Sequence, residues 1–215
     1  MYKSLLSLIC FFCCSVLLHA QSNIEIANNL FINKKYSAAQ NLYNQKIISG
    51  DYNESILYKH AKCSKELFNS DALFLYTKFL EEYPHSFLVN DVYTDIALIY
   101  YRSKNYLEAA KFFKKIDSKM LGTELQFKLA YCYFKADSLT DASYYFSKII
   151  STNSNLSEPS RYYFAHILYS YENYDEALEN FLELKNSEKF SSIVPYYIAP
   201  IYFIKKDYNK VIELI

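Results

Sequence analysis

The chain has 215 residues, 23 basic against 23 acidic side chains, and 24 Tyr and 16 Phe with no Trp. An apolar share of 52% excludes a disordered tail, and two glycines exclude collagen-like sequence, flexible linkers and the glycine-rich loops that cradle phosphates. Zero net charge does not suggest a nucleic-acid partner, whose binding surfaces are usually strongly basic.

Met1 to Ala20 reads as an export signal. Lys3 is its only charge, an apolar run from Leu5 to Leu18 is broken only by Ser7 and Ser15, and the small Ala20 meets the polar Gln21-Ser22-Asn23. The run is shorter than the ~20 residues that a bilayer-spanning helix needs, so no membrane span is expected after its removal. Cys10, Cys13 and Cys14 follow Ile9, Phe12 and Cys13 rather than small residues, so lipidation is not expected.

From residue 21 onward the chain repeats. An Ala-x3-aromatic element recurs as Ala39/Tyr43, Ala72/Tyr76, Ala109/Phe113, Ala142/Phe146 and Ala177/Phe181, with a weaker copy at Val211/Ile215. Successive copies lie 33, 37, 33, 35 and 34 residues apart. A second series, Ala27, Ala61, Ala97, Ala130, Ala165 and Ala199, runs 12 residues ahead, or 11 for Ala61. Small residues held in phase mark places where two helices approach too closely for a larger side chain. The spacing predicts six helix–turn–helix units near 22–52, 53–86, 87–120, 121–156, 157–190 and 191–215, the last incomplete. Asn105, Ser138, Asn173 and Asp207 stand before second helices and are N-cap types. Pro159 and Pro195 fall near first-helix starts, whereas Pro200 lies inside the last first helix and should kink it or delay its start. In unit two, His60 and Ser64 occupy places where apolar residues are expected.

This pattern resembles the tetratricopeptide repeat (TPR) family over essentially the whole mature chain, with Tyr93, Ile96, Ala97, Tyr100, Ala109 and Phe113 as the best-fitting unit. The resemblance implies an all-α fold, a right-handed α-solenoid of stacked helix–turn–helix repeats. It also implies a concave groove lined by first helices that holds a protein or extended peptide. The family's groove positions fall on Ile24, Phe31, Tyr58, Tyr101, Phe127, Tyr131, Phe134, Tyr162, His166, Tyr169, Tyr196 and Phe203. Much of that list also serves to fill the seams between repeats. Only Lys62, Arg102 and Lys135 could contribute to a carboxylate clamp, so apolar or extended ligands are favoured over acidic tails. Cys63 and Cys132 occupy similar first-helix positions two units apart, which predicts two free buried thiols rather than a disulfide.

No catalytic constellation, cofactor loop or metal-ligand spacing accompanies these repeats, so neither an enzyme nor a cofactor is expected. His60 and Cys63 share a helix face without a second ligand pair, and His166 reads as a packing residue. The stretch Phe79-Leu80-Glu81-Glu82-Tyr83-Pro84-His85-Ser86 resembles the unit junction of cell-envelope TPR proteins of the BamD-like and Tol–Pal-associated types. With the export signal it places the expected scaffold in the periplasm or at the outer membrane. Ile215 falls in the middle of a second helix on an apolar stretch. The expectation is therefore that the natural protein continues, and the alternative reading is that an outer-membrane assembly, glycan-binding or enzymatic part follows residue 215.

Overall fold

The computed structural model describes residues 23–152 and 154–214. The expected export segment, and Ile215 of the weak sixth copy, lie outside the described residues. Among the described residues there are twelve helices and no strand. They run as α1 (23–32), α2 (Tyr36–Ile48), α3 (Glu54–Glu66), α4 (Ala72–Glu82), α5 (Val89–Arg102) and α6 (Tyr106–Phe113). The series continues with α7 (Thr123–Lys135), α8 (Leu139–Ile150), α9 (Ser157–Ser170), α10 (Tyr174–Glu183), α11 (Pro195–Ile204) and α12 (Tyr208–Ile212). This is an all-α fold of the helical-solenoid class. It divides into two compact units, the first ending at Ile99 and the second beginning at Tyr100, inside α5.

In the first unit Ala27, Ala39, Ala61, Ala72 and Ala97 are buried, as are Tyr43 and Tyr76, the aromatics four residues after Ala39 and Ala72. In the second unit Ala109, Ala130, Ala142, Ala165 and Ala177 are buried with Phe113, Phe146 and Phe181. A methyl side chain at each crossing lets the helix backbones close up, and a ring one turn further on fills the space beside it. Ala199 differs, being only partly buried.

The chain reversal inside each helix pair has a chemistry that residue types do not announce. Lys34, Phe68, Lys104, Asp137, Glu172 and Lys206 all adopt φ between 58° and 61°. Each donates its N–H to the carbonyl three residues back, and the next residue donates to the carbonyl five back, as in Lys34 to Phe31 and Lys35 to Leu30. That pair of bonds is the Schellman ending, which normally recruits glycine. Here glycine takes the left-handed conformation only at Gly50, after α2. The turn therefore belongs to the residue before Asn105, Ser138, Asn173 and Asp207, not to those residues themselves.

Those four do stand at N-cap positions, yet only Asn105 accepts a backbone N–H, from Glu108 at 3.4 Å. All four have ψ angles of 66° to 72°, short of the extended backbone usual at an N-cap. Asn53 is fully extended, with ψ of −179°, and caps Ile56 at 3.1 Å. α11 runs through Pro200 but starts at Pro195, three to four residues later in the repeat than α3, α5, α7 and α9. The missing proline N–H deprives the carbonyl of Tyr196, an exposed residue, so water can take its place.

Candidate binding face of the first helices

Counting back nine residues from each of the six non-glycine left-handed residues gives Glu25, Lys59, Asp95, Lys128, Tyr163 and Tyr197. Each lies on a first helix, and Asp95, Tyr163 and Tyr197 pack against the preceding repeat.

In the second unit this position carries rings. Tyr163 meets Phe127 at 6.2 Å, Tyr131 at 5.5 Å and Phe134 at 5.1 Å between centroids, and stacks on Phe146 at 5.3 Å. One repeat later Tyr197 makes the same set of contacts: Tyr162 at 6.1 Å, His166 at 5.6 Å, Tyr169 at 5.7 Å, and a stack on Phe181 at 4.8 Å. Tyr101 joins through Tyr131 at 6.0 Å. Among the expected groove residues, Tyr101, Phe127, Tyr131, Phe134, Tyr162, His166 and Tyr169 thus form one edge-to-face ladder, each of them half-buried. Tyr196 and Phe203 stand outside it and are exposed. Burial pushes the Tyr101 hydroxyl up to about 12 and the His166 imidazole below its ordinary range.

In the first unit the same position carries a charge. Asp95 is 3% exposed. Its Oδ1 accepts from Lys65 Nζ at 2.5 Å, and its Oδ2 from Tyr76 at 2.8 Å and Tyr58 at 3.3 Å. Lys62 Nζ lies 3.4 Å from Oδ2 and donates to the Tyr58 hydroxyl at 2.9 Å. Tyr58 is therefore a buried carboxylate partner, and Lys62 is committed to the same cluster. Burial first, then the Asp95 charge, raises both phenol groups above their ordinary range. Lys65, Asp95, Tyr58 and Tyr76 occupy the repeat positions of Phe134, Tyr163, Phe127 and Phe146, so a satisfied ionic cluster replaces a ring cluster. Of the remaining expected groove residues, Ile24 and Phe31 are half-buried against Ala27 and Tyr43.

The polar residues of α3 sit in the core. Ser64 donates to Asp71, whereas His60 is 8% exposed and its Nδ1 has no hydrogen-bond partner. Desolvation lowers the His60 imidazole, partly opposed by Asp71. Cys63 and Cys132 are free and buried, and burial raises each thiol to about 12. Among the described residues no cluster of His, Cys, Asp and Glu could hold a metal ion, and no helix is long and apolar enough to cross a membrane.

A cleft of about 510 Å³ opens in the second unit between Tyr101, the first turns of α7 and the segment before α9. Thr123, Glu124, Phe127, Lys128, Ser154, Asn155 and Leu156 complete its lining. Asp95, Lys65, Tyr163 and Tyr197 are absent from the family's groove positions, whereas Tyr101 and Phe127 of the cleft are among them. Only the repeat count, anchored on the left-handed residue, brings them together.

Paired helices, alanine crossings and first-helix seams define a helical-repeat protein with the TPR fold. Solved structures of that kind are similar to it. MamA (AMB-1) matches with a TM-score of 0.69 at 15% identity, over 82% of this chain and 95% of that one. YrrB, a TPR protein with an unusual peptide-binding site, gives 0.64 at 20% identity, over 80% and 88%. A TPR protein from Parabacteroides merdae gives 0.62 at 16% identity, over 91% and 77%. At these identities the likeness is one of fold. No family model and no curated protein matches the sequence.

Proposed function

We propose that this protein is a non-catalytic interaction module of the cell envelope, periplasmic or associated with the outer membrane, which holds an extended peptide or partner surface on the first-helix face of its second unit. The observation that carries the proposal is the ladder from Tyr101 to Tyr169, in which rings are fixed by one another yet remain half-exposed. Pre-ordered aromatics offer large contact areas at little entropic cost. The peptide-binding site of YrrB, on a similar fold, supports the same reading. Export is supported by the Lys3 charge, the apolar run and the Ala20 exit.

Site-specific photo-crosslinking tests it. A benzophenone amino acid at Tyr131 or Tyr169 should capture a partner in native cells, and one at the exposed Phe74 or Tyr144 on second helices should not. Capture from the second helices alone would refute the assignment of the face. Sequencing the mature N-terminus should find Gln21, and cell fractionation should find the protein in the envelope; an uncleaved cytosolic chain contradicts the location.

A further inference from the structure

The cleft beside Tyr101 gains meaning from the next repeat. There Phe190 stacks on Tyr162 at 5.0 Å with the rings 17° apart, and Tyr197 closes the other side at 6.1 Å. Sixteen residues before the left-handed residue, Phe190 corresponds to Leu156; ten before, Tyr162 corresponds to Phe127. Nine before, Tyr163 and Tyr197 correspond to Lys128. So at Phe127 the covering ring is replaced by a leucine, while its other neighbour, Tyr163, is present at 6.2 Å; and beside Tyr101 a lysine stands where Tyr163 and Tyr197 set a ring against Phe134 and Tyr169. Lys128 turns along its own helix to meet Glu124 at 2.5 Å. The space left is the cleft of about 510 Å³ that Phe127, Tyr101, Leu156 and Lys128 line. Ligand sites generally fall in the range of about 300–1,000 Å³.

We infer that this cleft is an anchor pocket for one aromatic side chain of the bound peptide, which supplies in trans the ring that the next repeat supplies with Phe190. The inference rests on the interaction reading above. Phe127 and Tyr101 both line the cleft, and rings of the second unit pack on one another at tilted and edge-to-face angles that an added ring can adopt with them. The rim is polar. Asn155 can donate and accept at once, which suits the amide groups of an extended chain, and Thr123 and Ser154 add hydroxyls. Glu124 and Lys128 neutralise each other across the mouth, so the pocket favours an uncharged ring over an acidic or basic side chain.

The chain contains no tryptophan, so the emission of a Trp-bearing peptide reports only on the peptide. The probe is an array of capped ten-residue peptides of mixed sequence in which one central position is Trp, Tyr, Phe, Leu or Lys. The best binder is then titrated against the full chain by fluorescence. Aromatic centres should bind at least tenfold tighter than Leu or Lys, with a blue shift on burial. Leu156→Phe rebuilds the ring of the next repeat and should weaken binding at least tenfold with helical circular dichroism retained. Lys128→Tyr should do the same and serves if the first variant misfolds. Phe74→Ala, on a second helix, should leave affinity unchanged. Binding without aromatic preference, or binding that survives both pocket variants, overturns the anchor while leaving the interaction reading standing. No peptide binding at all also overturns it, and crosslinking from Tyr131 then decides the broader reading separately.

Discussion

At one repeat position the first unit buries a carboxylate and the second packs a half-buried phenol ring. Around Asp95 stand Lys65, Tyr76 and Tyr58; around Tyr163 stand Phe134, Phe146 and Phe127. The neighbours change with the occupant. Where the centre is the Asp95 carboxylate, the two surrounding rings carry hydroxyls that donate to it; around Tyr163 they are phenylalanines with nothing left to satisfy. Desolvating a carboxylate costs several kcal/mol, and only a complete set of donors offsets it. The comparison teaches that this repeat specifies a shape at its seams and leaves the chemistry open, provided the whole cluster switches together.

The largest effect should follow from breaking the ionic cluster by one member. Asp95→Ala leaves Lys65, 8% exposed, with Glu66 at 3.1 Å as its remaining carboxylate, and takes the acceptor from the Tyr76 and Tyr58 hydroxyls. A loss of about 3 kcal/mol is expected, the lower end of the usual cost of breaking a buried ion pair by one member. Hydrogen exchange read over α3, α4 and α5 should show it in the first unit. A loss below about 1 kcal/mol would mean that water reaches the site and that the cluster is not buried in solution.

Replacing the cluster's centre together with two of its partners should have the opposite sign. Lys65→Phe, Asp95→Tyr and Tyr76→Phe bring three of the four positions to the second unit's chemistry and keep Tyr58 as the acceptor for Lys62. Buried ion clusters exchanged for apolar groups of similar volume often gain about 1–4 kcal/mol. A melting temperature above that of the wild type supports interchangeable seams; a triple variant less stable than Asp95→Ala would show that the first unit's backbone does not admit the ring.

Smaller again is trimming the ring cluster. Tyr163→Leu keeps an apolar side chain but removes one ring from five partners; an aromatic pair contributes about 0.5–1.5 kcal/mol beyond area, and pairs that share one ring do not add. A loss of about 1–2 kcal/mol, confined to α7–α9 by exchange, is expected. Because no charge is stranded, it should fall well short of the effect of Asp95→Ala.

These seams were only half legible in the sequence. The alanine series was readable because a methyl group is required wherever helices cross, so one residue type recurs in phase from Ala27 to Ala177. Alternating aromatics were readable for the same reason. Asp95 and Lys65 were not, because they lie 30 residues apart and neither type belongs to the repeat pattern. Tyr163 and Tyr197 were hidden among many tyrosines until the register was fixed. His60 and Ser64, expected at odds with the pattern, do enter the core, one with a hydrogen bond and one without. The turns were masked entirely, since lysine, phenylalanine, aspartate and glutamate give no hint of a left-handed conformation.

A pH response should appear in both units with the same sign. His60 and His166 have folded-state pKa values below their ordinary range because burial disfavours the imidazolium. The unfolded chain therefore takes up protons first. The stability from each neutral histidine is complete above about pH 6.5 and is lost as pH falls toward the depressed folded value. His166→Phe, which keeps a ring against Phe134 and Tyr197, should flatten the fall in urea midpoint between pH 7 and 5. An unchanged slope would mean that His166 takes up its proton as readily in the fold as in the unfolded chain.

The smallest effect should be the one the two units share. A non-glycine residue in the left-handed region costs roughly 1–2 kcal/mol, and glycine gives back about 0.4–1 kcal/mol through its freer unfolded chain. Lys34→Gly in the first unit and Lys206→Gly in the second should therefore each stabilise by about 0.5–1 kcal/mol, read as a higher urea midpoint at constant slope. Asp137→Gly should gain less, because a short polar side chain tolerates this conformation better. Equal gains at Lys34 and Lys206 would mean that the turn is a common element on which different seams are mounted. Unequal gains would mean that each turn is tuned to the seam it serves, and the division between charged and aromatic junctions would then reach into the backbone.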